Sequence, residues 1–76
     1  MVSVFPNPAS DYIRIQAITA HPVLFEIIDL YGSVLISEHI HTNKAHVDIS
    51  TLKSGVYIYR AKKGEMVNQT GKLLIE

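Results

Sequence analysis

The residues with the best chemical credentials are three histidines. On a strand, side chains two apart share a face, so His39 and His41 could both reach one zinc ion, with His46 as a third ligand. The plainer reading is a polar rim of imidazoles beside a loop, because no Cys or carboxylate at ligand spacing completes the set. Ser10-Asp11 could be cast as half of a nucleophile system with a distant His. It lacks the strained turn that exposes a catalytic serine, and both residues serve more simply as turn formers whose oxygens accept local N–H groups. Asn68-Gln69-Thr70 fits an N-glycosylation sequon, a pattern short enough to recur by chance. Tyr12, Tyr31, Tyr57 and Tyr59 could line a sugar-binding face, or could be divided between core and turns. The glycines are too scattered for a phosphate loop. No enzyme chemistry, cofactor or metal is expected.

Composition narrows the classes further. The chain has 76 residues, 47% of them hydrophobic, and no Cys. A chain this short buries only about 60% of its unfolded surface, so its stability must come from packed apolar side chains alone. It is too apolar for a disordered segment. Seven basic and seven acidic residues cancel, and the one basic pair, Lys62-Lys63, sits beside a turn. Phosphate backbones are bound by clustered Lys and Arg, so neither nucleic acid nor an anionic membrane is an expected partner. The apolar runs are broken by Glu26, Asp29 and Arg60, which excludes a helical membrane span. Met1 leads straight into Val2-Ser3-Val4-Phe5, without the basic start and cleavage site of a signal peptide.

The elements that would hold these residues read as strands. Val2 to Phe5 is ended by Pro6-Asn7-Pro8, where two prolines remove two ladder donors. Asp11 to Gln16 alternates, with Ile13 and Ile15 on one face. Ala17 to Pro22 is a loop. Val23 to Asp29 turns Phe25 and Ile27 inward and Glu26 outward. Asp29-Leu30-Tyr31-Gly32 is a type I turn, in which Gly32 supplies the positive φ that realigns a hairpin. The return strand runs from Ser33 to about His39, Ile40 to Lys44 is a polar connection, and Ala45 to Ile49 points Val47 and Ile49 inward. Ser50 to Gly55 crosses over with room for one helical turn. Val56 to Lys62 is apolar on both faces, as a central strand should be. Lys63-Gly64 closes a second hairpin, and Met66 to Ile75 is the last strand, with Gly71 read as a bulge. About seven short strands with regular turn signals predict an all-β, immunoglobulin-like Greek-key sandwich. Leu52-Lys53-Ser54-Gly55-Val56-Tyr57 fits a tyrosine corner, whose hydroxyl bonds to backbone a few residues upstream.

Four blocks, in order, resemble one known family. Val4-Phe5-Pro6-Asn7-Pro8-Ala9-Ser10-Asp11 is similar to its opening. Ile27-Ile28-Asp29-Leu30-Tyr31-Gly32-Ser33-Val34 looks like its central hairpin. Val47 to Tyr57 resembles its third block, ending in Gly55-Val56-Tyr57. Lys72-Leu73-Leu74-Ile75 is similar to its closing strand. The family is the type A C-terminal sorting domain of the type IX secretion system, also called the Por secretion system. The resemblance implies an export signal at the C-terminus of a large enzyme or adhesin of a Gram-negative bacterium. It implies recognition by outer-membrane translocon proteins and removal by a sortase-like cysteine peptidase. It also implies passage through the periplasm to the cell surface or the extracellular space. Residues 1–76 would then be the sorting domain alone, a fragment of a larger secreted precursor whose cleavage site lies at or before Met1. Pro6, Asn7, Pro8, Asp29, Gly32, Leu52, Gly55, Tyr57, Lys72, Leu73, Leu74 and Ile75 are the candidate recognition residues. Lys72 to Ile75, at the chain end, is expected to be a sheet edge open to an added partner strand. The rival reading is an accessory carbohydrate- or protein-binding module of a surface enzyme. A passive spacer is the third.

Overall fold

A computed structural model describes residues 2–17 and 22–76, apart from the Asn68 side chain. Among them are seven strands and no helix: β1 (Val2–Phe5), β2 (Tyr12–Ala17), β3 (Val23–Ile28), β4 (Val34–Ile40), β5 (Lys44–Asp48), β6 (Gly55–Lys63) and β7 (Met66–Ile75). They form two antiparallel sheets, one ordered β1-β2-β5 and the other β4-β3-β6-β7. The expected β-sandwich is therefore the fold. In an immunoglobulin constant-type sandwich the fourth strand lies beside the fifth. Here β4 pairs with β3 instead, which leaves the first sheet with three strands.

Period-two alternation builds the core. Ile13, Ile15 and Ala17 of β2 are buried while Tyr12, Arg14 and Gln16 are exposed. They meet Val23, Phe25 and Ile27 of β3, Tyr57 and Ala61 of β6, and Leu73 and Ile75 of β7 from the facing sheet. Each such aliphatic side chain removed from water stabilises by about 1.5–3 kcal/mol.

Five local expectations change. Glu26 does face away from the core, yet it is only 7% exposed, because Arg60 Nε at 2.9 Å and Lys62 Nζ at 3.9 Å fold over it. Ile40, assigned to a polar connection, ends β4 as a buried core residue. The crossover makes a turn, with Leu52 N–H donating to Ile49 C=O at 3.0 Å, but no helix. Gly71 is no bulge: it pairs regularly with Tyr59, and the register shift lies between Ala61 and Lys62, opposite the Val67–Gln69 stretch. What requires glycine at 71 is the Tyr59 ring, which occupies the space a Cβ would take. The loop expected from Ala17 to Pro22 has Ala17 as the last residue of β2, while residues 18–21 fall outside the described residues.

Candidate functional site

The ladder registers carry the chain's polar motifs to one end of the sandwich. Ile28 pairs with Ile58 and Gly55 with Ile75, so the β3–β4 hairpin tip, the start of β6 and the end of β7 are neighbours. Val2, Lys63 and Met66 lie at the other end, where β1 and β7 begin and β6 finishes.

Asn7 completes that end from the other sheet. Its Nδ2 donates to Lys72 C=O at 2.8 Å, and its Oδ1 accepts from Leu74 N–H at 3.0 Å. Ala9 continues the contact: its N–H donates to Leu74 C=O at 2.8 Å, and its C=O accepts from Glu76 N–H at 2.8 Å. Ala9 and Ile75 form an isolated parallel bridge. The prolines at 6 and 8 have no N–H to leave unpaired, and the Phe5–Pro6 and Asn7–Pro8 peptide bonds are cis. This corrects the expectation of an open terminal edge. β7 is the last strand of its sheet, but from Lys72 to Glu76 its outward backbone groups are already bonded to the segment that follows β1.

A second amide works in the opposite direction near the far end. Gln69 Oε1 accepts from Val2 N–H at 2.9 Å, and its Nε2 donates to Val2 C=O at 2.6 Å. Two side-chain amides thus stitch β1 and the segment after it to β7, one along each half of the seam between the sheets. Gln69 was missed in the sequence, where it stood only as the middle of a sequon; the sequon's Asn68 side chain lies outside the described residues.

The remaining motif residues have structural partners. Tyr57 is a tyrosine corner: its buried ring carries a hydroxyl that donates to Lys53 C=O at 2.6 Å. Gly55 lies against that ring, with Tyr57 Cε2 at 3.8 Å from the position of a Cβ. Leu52 is half-buried against the core. Asp29 organises its hairpin. Its Oδ1 accepts from the N–H groups of Tyr31 and Ser33, both at 2.9 Å, and its C=O accepts from Gly32 N–H at 3.1 Å. Gly32 has φ +91°, which a β-carbon would strain. Leu73 and Ile75 are buried, whereas Pro6, Asn7, Pro8, Lys72 and Leu74 are exposed.

The chemical alternatives separate in space. The His39 and His41 rings lie 6.2 Å apart, but His46 stands on the other sheet, where its Nε2 accepts from Arg14 Nε at 3.0 Å. Among the described residues no group of three His, Cys, Asp or Glu could hold a metal ion. The tyrosines share no face. Tyr57 is buried, Tyr59 stacks on Phe25 at 5.9 Å, Tyr31 projects from the hairpin tip, and Tyr12 lies on the outside of the three-stranded sheet. The Asp48 carboxylate has a lowered pKa. The Ser50 hydroxyl, 2.6 Å from its Oδ1, and then the Ser50 N–H, at 2.8 Å, hold it below the usual Asp value.

A family model described as a secretion system C-terminal sorting domain matches residues 3–76. No curated protein matches the chain.

Proposed function

The chain belongs to the family of C-terminal sorting domains of type IX secretion, and from that premise we propose that the end of the sandwich where its motif residues meet is the face the machinery reads. The domain is a sorting signal, and it directs export to the cell surface or the extracellular space. The finer partners are outer-membrane translocon proteins, met after transit through the periplasm, and a sortase-like cysteine peptidase that removes the domain.

One observation carries this reading. Asn7 binds the backbone of Lys72 and Leu74, so motif blocks that are 65 and 67 residues apart in sequence form one surface. Pro6, Asn7, Pro8, Lys72 and Leu74 are exposed on it. A partner can then read a folded surface rather than a bare strand. Cargo joined ahead of Val2 would enter at the opposite end of a body 32 Å long, which leaves that junction free for a peptidase while the motif end is held.

The test is export of a reporter fused ahead of the chain, behind an N-terminal export signal, in a bacterium with a type IX system. Lys72→Ala removes an exposed charge of little structural consequence. A folded Lys72→Ala domain that leaves the reporter in the periplasm supports the motif surface. Deleting Gly71 to Glu76 should abolish export. If that deletion exports the reporter at the wild-type rate, the reading is wrong.

A further inference from the structure

On the outer face of the three-stranded sheet, Arg14, Gln16, Lys44 and His46 belong to none of the sorting-motif blocks, and Phe5 alone of the groove residues does. Cross-strand register sets Phe5, Arg14 and His46 in one row and Ser3, Gln16 and Lys44 in the next. Phe5, Arg14, Gln16, Lys44 and His46 line an open groove of about 430 Å³. No carboxylate lines it. Among the described residues the ion pairs are those of Arg60 and Lys62 with Glu26, so neither Arg14 nor Lys44 has an acidic partner there.

Arg14 is also held in place. Its Nε donates to His46 Nε2 at 3.0 Å, and its guanidinium carbon lies 5.6 Å from the centre of the Tyr12 ring. The Tyr12 and His46 rings are themselves 5.1 Å apart. Contact with both rings fixes the guanidinium plane, while its two terminal nitrogens keep the fork that matches a carboxylate. The exposed ring of Phe5, 41% accessible, stands directly across the strand pair from Arg14 and offers an apolar contact beside the charge.

We propose that this groove docks an extended, acidic polypeptide segment of a partner protein, whose carboxylate is taken by Arg14 and Lys44 and whose neighbouring apolar side chain rests on Phe5. Charge complementarity selects the acid: the groove brings together two cations with no anion, in a chain whose overall charge is zero. The repeat selects the peptide. Tyr12, Arg14 and Gln16 face outward at every second residue of β2, and an extended peptide laid along them presents its own side chains with the same two-residue period. The groove is on the outer face of one sheet, so the proposal stands independently of the motif surface.

The experiment is a titration of the ¹⁵N-labelled domain, followed by amide chemical shifts, with the capped peptide Gly-Glu-Leu-Glu-Gly. Shifts should concentrate at Phe5, Arg14, Gln16, Lys44 and His46 and weaken with added salt, since exposed charge pairs are screened. The peptide with Gln in place of both Glu should bind markedly more weakly. Arg14→Gln, an exposed substitution checked for an unchanged spectrum elsewhere, should lower affinity about tenfold, the loss expected for a charged hydrogen-bonding partner. Lys44→Gln should lower it by less. Equal binding of the Glu and Gln peptides, or an Arg14→Gln domain that binds as well as wild type, overturns the proposal. So does stronger perturbation of the same amides by inorganic phosphate or by phosphatidylglycerol vesicles than by the peptide, which would assign the groove to a phosphate-bearing ligand.

Discussion

Val2 and Gln69, 67 residues apart, are joined twice, the backbone N–H and C=O of one meeting the oxygen and nitrogen of the other's side-chain amide at 2.9 and 2.6 Å. An amide is the side chain that can do this, because it carries a donor and an acceptor at the spacing of a peptide group. Asn7 does the same for Lys72 and Leu74.

Each amide should therefore contribute to stability. Asn7→Ala and Gln69→Ala each remove two hydrogen bonds to distant backbone from a part-exposed seam where water can replace some of what is lost. Each should cost about 1–2 kcal/mol, or roughly 4–16 °C in Tm for a domain of this size. Thermal melts followed by circular dichroism would check it. A Gln69→Ala melt indistinguishable from wild type would mean that the seam does not hold in solution.

Tyr57→Phe deletes the hydroxyl that reaches Lys53 C=O. The ring stays, so the loss should be one buried hydrogen bond, about 1–2 kcal/mol. Urea titration should show a lower midpoint with an unchanged slope, the signature of altered stability without altered compactness.

Gly71→Ala forces a methyl group into the Tyr59 ring. Overpacking of this kind costs about 1–3 kcal/mol, and Tyr59 is pinned behind by Phe25. Adding Tyr59→Val should restore part of the loss by vacating the space. A Gly71→Ala domain as stable as wild type would show that the ring swings away freely.

Asp48 gives a pH signature. Ser50 holds its folded pKa below the ordinary Asp value, so its contribution to stability is complete above the unfolded pKa of about 3.9. It is lost as pH falls through the lower folded value. Asp48→Asn should be less stable than wild type at neutral pH, and the gap should close in strong acid. Melts at a series of pH values would reveal it, and a gap that widened on acidification would contradict the assignment.

Strands β2, β3 and β5 were legible because each turns alternate apolar side chains into the core. Ile13 and Ile15, Phe25 and Ile27, and Val47 and Ile49 announce their direction by period two alone. The tyrosine corner was legible because its hydrogen bond spans four residues. The seam was not. Asn7 to Lys72 and Gln69 to Val2 are pairings of a side chain with distant backbone, and backbone is the same at every residue, so nothing in the sequence marks the recipient. Gly71 was misread for a related reason: a glycine that makes way for the ring of its cross-strand partner, Tyr59, looks like one that permits a bend. The face of β2 and β5 that forms the groove was read only as solvent-facing alternation, since register decides which cations become neighbours.

The seam also has a mechanical meaning. The last residues of β7 lie between β6 on one side and the Pro6–Ala9 segment on the other. Tension applied at Glu76 along the strand would load both rows of hydrogen bonds side by side, in shear, so that they must fail together. Tension that peeled β4 from β3 would meet a single row and break it bond by bond. Pulled by its tail, the domain should resist as a unit, and an apparatus that grips that end could haul on it without first unravelling it.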